Sequence, residues 1–141
     1  MNKQQVFDNA LSGIRGQHYK PSRIDRGGGG VSSCVYFGED GLRCGIGHNL
    51  PVTLKDEFLV NSDINRTGVS NLVARRPEVA QLFEKIPESF LRSLQTLHDE
   101  YLQQDGGVRA ATGELPPNEL FETRTREFAQ AEGLYYKERA P

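Results

Sequence analysis

The spacing of hydrophobic positions predicts that the chain begins with an amphipathic helix. Residues 2–15 carry apolar side chains at helical spacing. Asn2, followed three residues later by Gln5, forms a capping-box pattern that marks the helix start. Gly13 and Gly16 weaken the other end and predict that the helix ends there. The predicted buried stripe consists of Val6, Phe7, Ala10, Leu11 and Ile14.

A β-hairpin is predicted at residues 31–46. Residues 31–37 and 42–46 are rich in strand-forming residues, and Glu39-Asp40-Gly41 between them suits a three-residue turn with Gly41 in the left-handed conformation. This register pairs Gly38 with Leu42. Because side chains alternate along a strand, it places four side chains on one face of the hairpin: Cys34, Tyr36, Cys44 and Ile46.

The rest of the chain predicts helices separated by loops. Pro77 suits the first turn of a helix, Asn118 suits a cap, and Gly133 is a stop signal across which Leu134 packs back. The predicted helices are 53–60 capped by Thr53, 69–76, 77–86, 87–104 and 118–132. The predicted loops are 16–30 with four consecutive glycines, 61–68 and 103–117, and a frayed tail is predicted at 135–141.

These elements predict an α+β fold in which residues 1–134 form a single globular domain. An N-terminal helix, one two-stranded antiparallel hairpin and three to five further helices would make it up. A two-stranded sheet is marginally stable by itself, so helices must cover its apolar face. The longest helix, around residues 88–104, is expected at the centre.

Charge and composition narrow the class of partner. The 141 residues carry a net charge of −2, which argues against a general binder of nucleic-acid backbones. No apolar run approaches the ~20 residues of a membrane span, and the N-terminus lacks the apolar core of a signal peptide. We therefore expect a cytoplasmic protein with no membrane partner.

Cys34, Cys44 and His48 lie in and beside the predicted hairpin, and His98 lies on the apolar face of the long predicted helix. Four such sulfur and nitrogen ligands could hold zinc in a tetrahedron. The nine residues between the cysteines exceed the short spacing of common zinc modules, however. Small buried core residues are therefore the favoured interpretation of the cysteines. We expect no cofactor, with zinc as the alternative.

Cysteine catalysis would pair Cys44 with His98. Asp99, the carboxylate next to this histidine, points about 100° away from it on a helix and would orient it poorly. No helix start follows Cys44 to lower the pKa of its thiol. The sequence contains no complete catalytic set, so we lean against an enzyme.

The chain resembles a group of small bacteriophage and prophage proteins. The resemblance rests on a hairpin motif, Cys34-x-Tyr36-x-Gly38-x-x-Gly41-Leu42-x-Cys44-x-Ile46-Gly47, and on a helix motif, Leu94-Gln-x-Leu-His-Asp99. It covers about two thirds of the chain, and residues 103–118 would be an insert. It implies a phage or mobile-element setting and carries no activity to transfer.

Three functions follow as hypotheses. The leading one is a small phage-type protein that acts, without catalysis, by binding a host protein and inhibiting host or defence machinery. The second is a zinc-stabilised module that uses the Cys34, Cys44, His48 and His98 cluster. The third is a nucleic-acid-binding regulator with a helix-turn-helix at 69–76 and 78–86, for which Arg75-Arg76 at the junction gives slight support.

Overall fold

The computed structural model describes residues 1–22, 24, 35–102 and 117–139, and these residues form seven α-helices. Three single 3₁₀ turns, Glu39–Gly41, Gly47–Asn49 and Val52–Leu54, lie between the first helix and the second. The helices are α1 (Lys3–Gly16), α2 (Lys55–Val60), α3 (Ser62–Arg66), α4 (Val69–Arg75), α5 (Pro77–Leu82), α6 (Glu88–Leu102) and α7 (Pro117–Glu132).

The start of α1 confirms the capping-box prediction. The Gln5 backbone N–H donates to Asn2 Oδ1 at 2.8 Å, and the Asn2 backbone N–H donates to Gln5 Oε1 at 2.9 Å. The whole predicted stripe, from Val6 to Ile14, is buried. The capping box therefore provides acceptors for two backbone N–H groups that have no partner within the helix. The apolar face of α1 packs in the core.

Most of the later helices were predicted, with four corrections. Helix α5 ends at Leu82, before the predicted end at residue 86, and α7 begins at Pro117, before the predicted cap Asn118. A helix, α3, occupies the place of the predicted loop 61–68, and its Ile64 N–H is capped by the side chain of Asn61. Leu54 precedes α2 in place of the expected cap Thr53, because a 3₁₀ turn leads into the helix. Pro77 opens α5 as predicted.

The α+β prediction was wrong, because the described part of residues 31–46 contains no β-strand. It has one isolated bridge, between Phe37 and Arg43, next to a hydrogen bond from Gly38 N–H to the Leu42 carbonyl at 2.8 Å. Gly41 has the predicted positive φ of 74°. The turn and its register are thus as expected, but the ladder does not extend. Residues 31–34 lie outside the described residues.

The ladder stops because the backbone groups of its next rung bond elsewhere. The Tyr36 N–H donates to the Asn65 carbonyl at 3.1 Å, and the Cys44 carbonyl accepts from the His48 N–H at 3.0 Å.

Amide side chains bond the backbone groups of Phe37 and Arg43 that face away from the bridge. Asn65 accepts from the Phe37 N–H at 3.0 Å and donates to the Phe37 carbonyl at 2.9 Å. Gln17 accepts from the Arg43 N–H at 3.1 Å and donates to the Arg43 carbonyl at 2.8 Å. Both segments therefore satisfy these outward groups without a neighbouring strand.

One hydrophobic core joins α1 to α7. Helix α6 packs against α4 and α7, and α1 packs on the Gly47–Asn49 turn. The core cluster includes Tyr36, Phe37, Cys44 and Ile46 from the predicted hairpin. Helix α6, expected to be the longest, has 15 residues and is shorter than α7, which has 16.

The chain leaves α7 through the predicted glycine stop. Gly133 has a φ of 69°, and the Leu134 N–H donates to the Ala129 carbonyl at 2.8 Å. Residues 135–139 form no helix, yet Gln4 exchanges two hydrogen bonds with the backbone of Tyr135, at 2.9 and 3.0 Å. The glycines at 27–30 and residues 103–116 of the predicted loop 103–117 lie outside the described residues. None of the helices described is long and apolar enough to cross a membrane.

Candidate functional site

Cys44 precedes the Gly47–Asn49 turn, and His48 lies within it. The His48 N–H donates to the Cys44 carbonyl at 3.0 Å, and the Gly47 N–H donates to Cys44 Sγ at 3.3 Å. Cys44 is 3% exposed and belongs to the core cluster. The turn is compact because a Cβ at Gly47 would lie 2.2 Å from the Tyr36 carbonyl oxygen.

His48 packs on α1. A Cβ at Gly13 would lie 2.2 Å from Cγ of the imidazole, so this glycine makes room for the ring. His48 Nε2 lies 2.9 Å from Gln17 Oε1. Burial, with a smaller contribution from Arg43, lowers the pKa of His48 to about 4, so the imidazole is neutral at pH 7.

His98 is buried beside Gly45, which precedes the same turn. Its ring lies 5.5 Å from the Phe121 ring, centroid to centroid, and Gly45 faces it so closely that a Cβ there would lie 1.7 Å from Nδ1. Within the described residues Nδ1 has no hydrogen-bond partner. Burial, assisted by nearby His48, lowers the pKa of His98 to about 3.

These three side chains approach one turn without forming a complete metal site. Among residues 1–22, 24, 35–102 and 117–139, no three His, Cys, Asp or Glu side chains are grouped so that they could hold a metal ion. Cys34, the remaining predicted ligand, lies outside those ranges. The zinc site at Cys34, Cys44, His48 and His98 therefore stays a prediction.

A groove of about 640 Å³, which no sequence pattern predicted, runs between α1 and residues 135–139. Leu11 and Ser12 form part of its floor, and Tyr19 and Tyr135 line its ends. Its walls come from opposite ends of the chain. No local pattern could therefore have revealed it.

Beside this groove, a buried carboxylate joins α7 to α1 and to the C-terminal residues. Arg15 donates to Glu122 through Nε at 2.6 Å and Nη2 at 3.0 Å. Tyr136 and Tyr19 donate to the same carboxylate at 2.5 and 2.9 Å. Burial alone would raise the pKa of Glu122, but these hydrogen bonds outweigh it and hold the pKa below 4.5. Glu122 is thus a satisfied carboxylate, poorly suited to be a general base.

Helix α2 and the turn before it present apolar side chains to solvent. Val52 is 63% exposed, Leu59 38% and Val60 87%. They are three of the four exposed large hydrophobic side chains among the described residues, and they lie within nine positions. The sequence carried a signal that was missed, because three consecutive apolar residues, Phe58, Leu59 and Val60, cannot all face the core from one helix.

The predicted helix-turn-helix region contains α4 and α5, joined at Arg76. Arg75 Nη1 pairs with Asp63 at 2.8 Å, and Arg76 pairs with Glu57. Both arginines are therefore engaged by carboxylates. Helix α5, the second of the two, is six residues long.

Comparison of the chain with models of protein families, with curated proteins and with solved structures finds no match.

Proposed function

We propose that this chain is a non-catalytic binding protein that acts on a host protein in the cytoplasm, in the phage or prophage setting that the resemblance implies. The observation that carries the proposal is the exposed apolar group Val52, Leu59 and Val60, which we name the α2 face. Concentrated apolar exposure of this kind is typical of a surface that is covered by a partner.

The α2 face is held outward by the residues behind it. Leu54 and Phe58 are buried, and the Phe58 ring packs edge-on against Tyr36 and Phe37 at 6.3 and 5.4 Å between centroids. This anchoring fixes the orientation of the helix. Binding would therefore not require the face to be ordered first, which favours affinity.

The acidic charge of the chain favours a basic partner. Asp56 and Glu57 lie within α2, and both are exposed. Glu57 is neutralised by Arg76, and neither Asp56 nor the neighbouring Lys55 forms an ion pair with the residues described. The net charge of −2 complements a host surface on which basic residues surround an apolar patch, and such complementarity accelerates association. Proteins that handle nucleic acids present basic surfaces of this kind.

No specific contact favours the other hypotheses to the same degree. The ion pairs of Arg75 and Arg76 compete with phosphate contacts, which weakens the helix-turn-helix alternative. The zinc alternative depends on Cys34. We therefore carry host-protein binding forward as the proposed function.

The test is a pull-down from bacterial host lysate with the full chain and two variants. Val60→Asp places a charge within the α2 face at a position so exposed, at 87%, that folding should be preserved. The wild-type chain should retain a defined protein at low salt, lose it progressively as salt is raised, and fail to retain it as Val60→Asp.

Tyr135→Ser is the matched control, because Tyr135 is the one other exposed large hydrophobic side chain in the described residues, at 73%. This variant should retain the same protein as the wild type. The proposal would be overturned if Val60→Asp captured what the wild type captures, or if the wild type captured nothing specific.

A further inference from the structure

The groove between α1 and the C-terminal residues has two different ends, because the two segments run in the same direction. Gln4, at the start of α1, bonds the Tyr135 backbone, while Arg139 Nη1 donates to the hydroxyl of Tyr19, beyond the end of α1, at 3.3 Å. Residues 135–139 therefore run alongside α1 in the same direction. The groove has one end near Asp8 and Tyr135 and another near Tyr19 and Arg139.

The two ends carry opposite charges that form no ion pair with the described residues. Asp8 accepts one hydrogen bond, from the neutral amide of Gln4 at 2.9 Å. Towards the other end, Lys137 has no ion pair within the described residues. Arg139 bonds the neutral phenol of Tyr19, and Glu122 and Glu119 lie near enough to interact with it electrostatically. The remaining charges of the groove are already neutralised, Arg15 by Glu122 and Glu138 by Arg126.

The floor between the charged ends is largely apolar and open. Leu11 forms part of it, and the two tyrosines, Tyr19 and Tyr135, provide ring surface at its ends. A volume of about 640 Å³ is within the range of sites that enclose small ligands. Asp8 and Arg15, seven residues apart on α1, are separated by about 10 Å along the helix axis.

From this arrangement we propose that the groove binds a short peptide of about three residues with free termini. Its ammonium group lies at Asp8, its apolar central side chain lies over Leu11, and its carboxylate lies at Lys137 and Arg139. An extended chain spans about 3.3 Å per residue, so three residues cover the ~10 Å along α1 between Asp8 and Arg15. This site shares no residue with the α2 face and stands independently of the proposed host-protein binding.

Free termini are the distinguishing feature of the ligand. A peptide that is acetylated at its N-terminus or amidated at its C-terminus keeps its shape and apolar surface but loses one of the two charges. If the groove recognises both charges, each modification should weaken binding separately. If it recognises apolar surface alone, neither modification should matter.

The experiment titrates the full-length, isotope-labelled protein with four tripeptides that have alanine at both ends and alanine, leucine, phenylalanine or tyrosine in the centre, followed by NMR. At least one should shift amide signals of α1 and of residues 135–139. Its acetylated and amidated forms should each bind at least fivefold more weakly, and the doubly blocked form should not bind measurably.

Two variants test which end of the groove binds the ammonium group of the peptide and which end binds its carboxylate. Asp8→Asn should bind the free peptide at least fivefold more weakly and should no longer distinguish it from the acetylated form. Arg139→Gln should likewise weaken binding and reduce the effect of amidation. Lys85→Gln, at an exposed position after α5 that does not line the groove, should leave every affinity unchanged.

The proposal is rejected if none of the four free tripeptides shifts these signals at 10 mM, roughly the weak limit for a specific small ligand. It is also rejected if blocked and free peptides bind equally, or if Asp8→Asn and Arg139→Gln bind like the wild type. Because the pull-down depends on Val60 and this titration on Asp8 and Arg139, either proposal can fail without the other.

Discussion

His48 and His98 are kept neutral by burial, and each imidazole rests against a glycine. Gly13 and Gly45 provide the space, since a Cβ at either position would overlap a ring. Because a charged imidazole is poorly tolerated in such surroundings, the folded protein resists protonation at both positions. Packing at these residues therefore links the stability of the fold to pH.

The folded protein should lose stability as the pH falls from 8 to 5. The pKa values of His48 and His98 fall from 6.5 to about 4 and about 3 on folding, so between pH 6.5 and 4 the unfolded chain binds more protons than the folded one. Each histidine should remove about 2 kcal/mol of unfolding free energy between pH 8 and pH 5. Urea denaturation at several pH values measures this.

Substitution of one histidine checks the origin of that loss. His48→Gln should reduce the difference between pH 8 and pH 5 by about 2 kcal/mol, since one titrating group is gone. Glu122 does not interfere, because its pKa lies below 4.5 and its contribution is lost only at more acidic pH. Equal pH dependence in the variant and the wild type would contradict the burial argument.

At the scale of elements, amide side chains replace a strand. Gln17, Asn65 and Gln4 each bond both backbone groups of one residue, respectively Arg43, Phe37 and Tyr135. Each amide connects an irregular segment to a helix. The irregular segments can therefore be buried without unpaired backbone groups.

Asn65→Ala should destabilise the protein by about 3 kcal/mol, because it leaves the buried N–H and carbonyl of Phe37 without partners. Asn71→Ala is the matched control, since Asn71 lies exposed on α4 and bonds the Thr67 side chain. Its effect should stay within about 0.5 kcal/mol. Equal midpoints for the two variants in urea denaturation would show that the Asn65 amide does not stabilise the segment.

At the scale of the whole molecule, hydrogen bonds to Glu122 link α1 to the C-terminal residues. Arg15 of α1 and Tyr136 of the C-terminal residues both bond this carboxylate of α7. The Tyr136 ring also lies 5.4 Å from Arg15 Cζ and 5.0 Å from Arg126 Cζ. This network positions the C-terminal residues along α1 and thereby shapes the groove.

Tyr136→Phe should lower the unfolding free energy by about 2 kcal/mol, since its hydroxyl bonds a charged, buried partner. Burial, followed by the Glu122 contact, raises the pKa of Tyr136 to about 12, so the phenol stays a donor at neutral pH. Tyr135→Phe, at the neighbouring exposed ring, should have almost no effect. Thermal denaturation of the two variants provides the comparison, and indistinguishable melting temperatures would contradict the role given to the network.

Local signals determined much of the helical framework. The apolar stripe and capping box of α1, the proline that opens α5 and the glycine that ends α7 act within a few residues of one another. Their outcome therefore depends little on the rest of the chain. The turn at Gly41 belongs to the same class, because a left-handed φ favours glycine whatever surrounds it.

Long-range contacts decided what the hairpin segments became. Residues 35–37 have strand propensity, but the Phe37 N–H bonds the side chain of Asn65, 28 positions away, and not a second strand. The segment 61–68, expected to be a loop, contains the helix that carries this amide. The groove likewise unites α1 with residues 135–139. The sequence by itself determined the helices and turns whose causes are local. The tertiary structure decided the absence of a sheet and the shape of the groove, because backbone groups bond whichever partner the fold brings near.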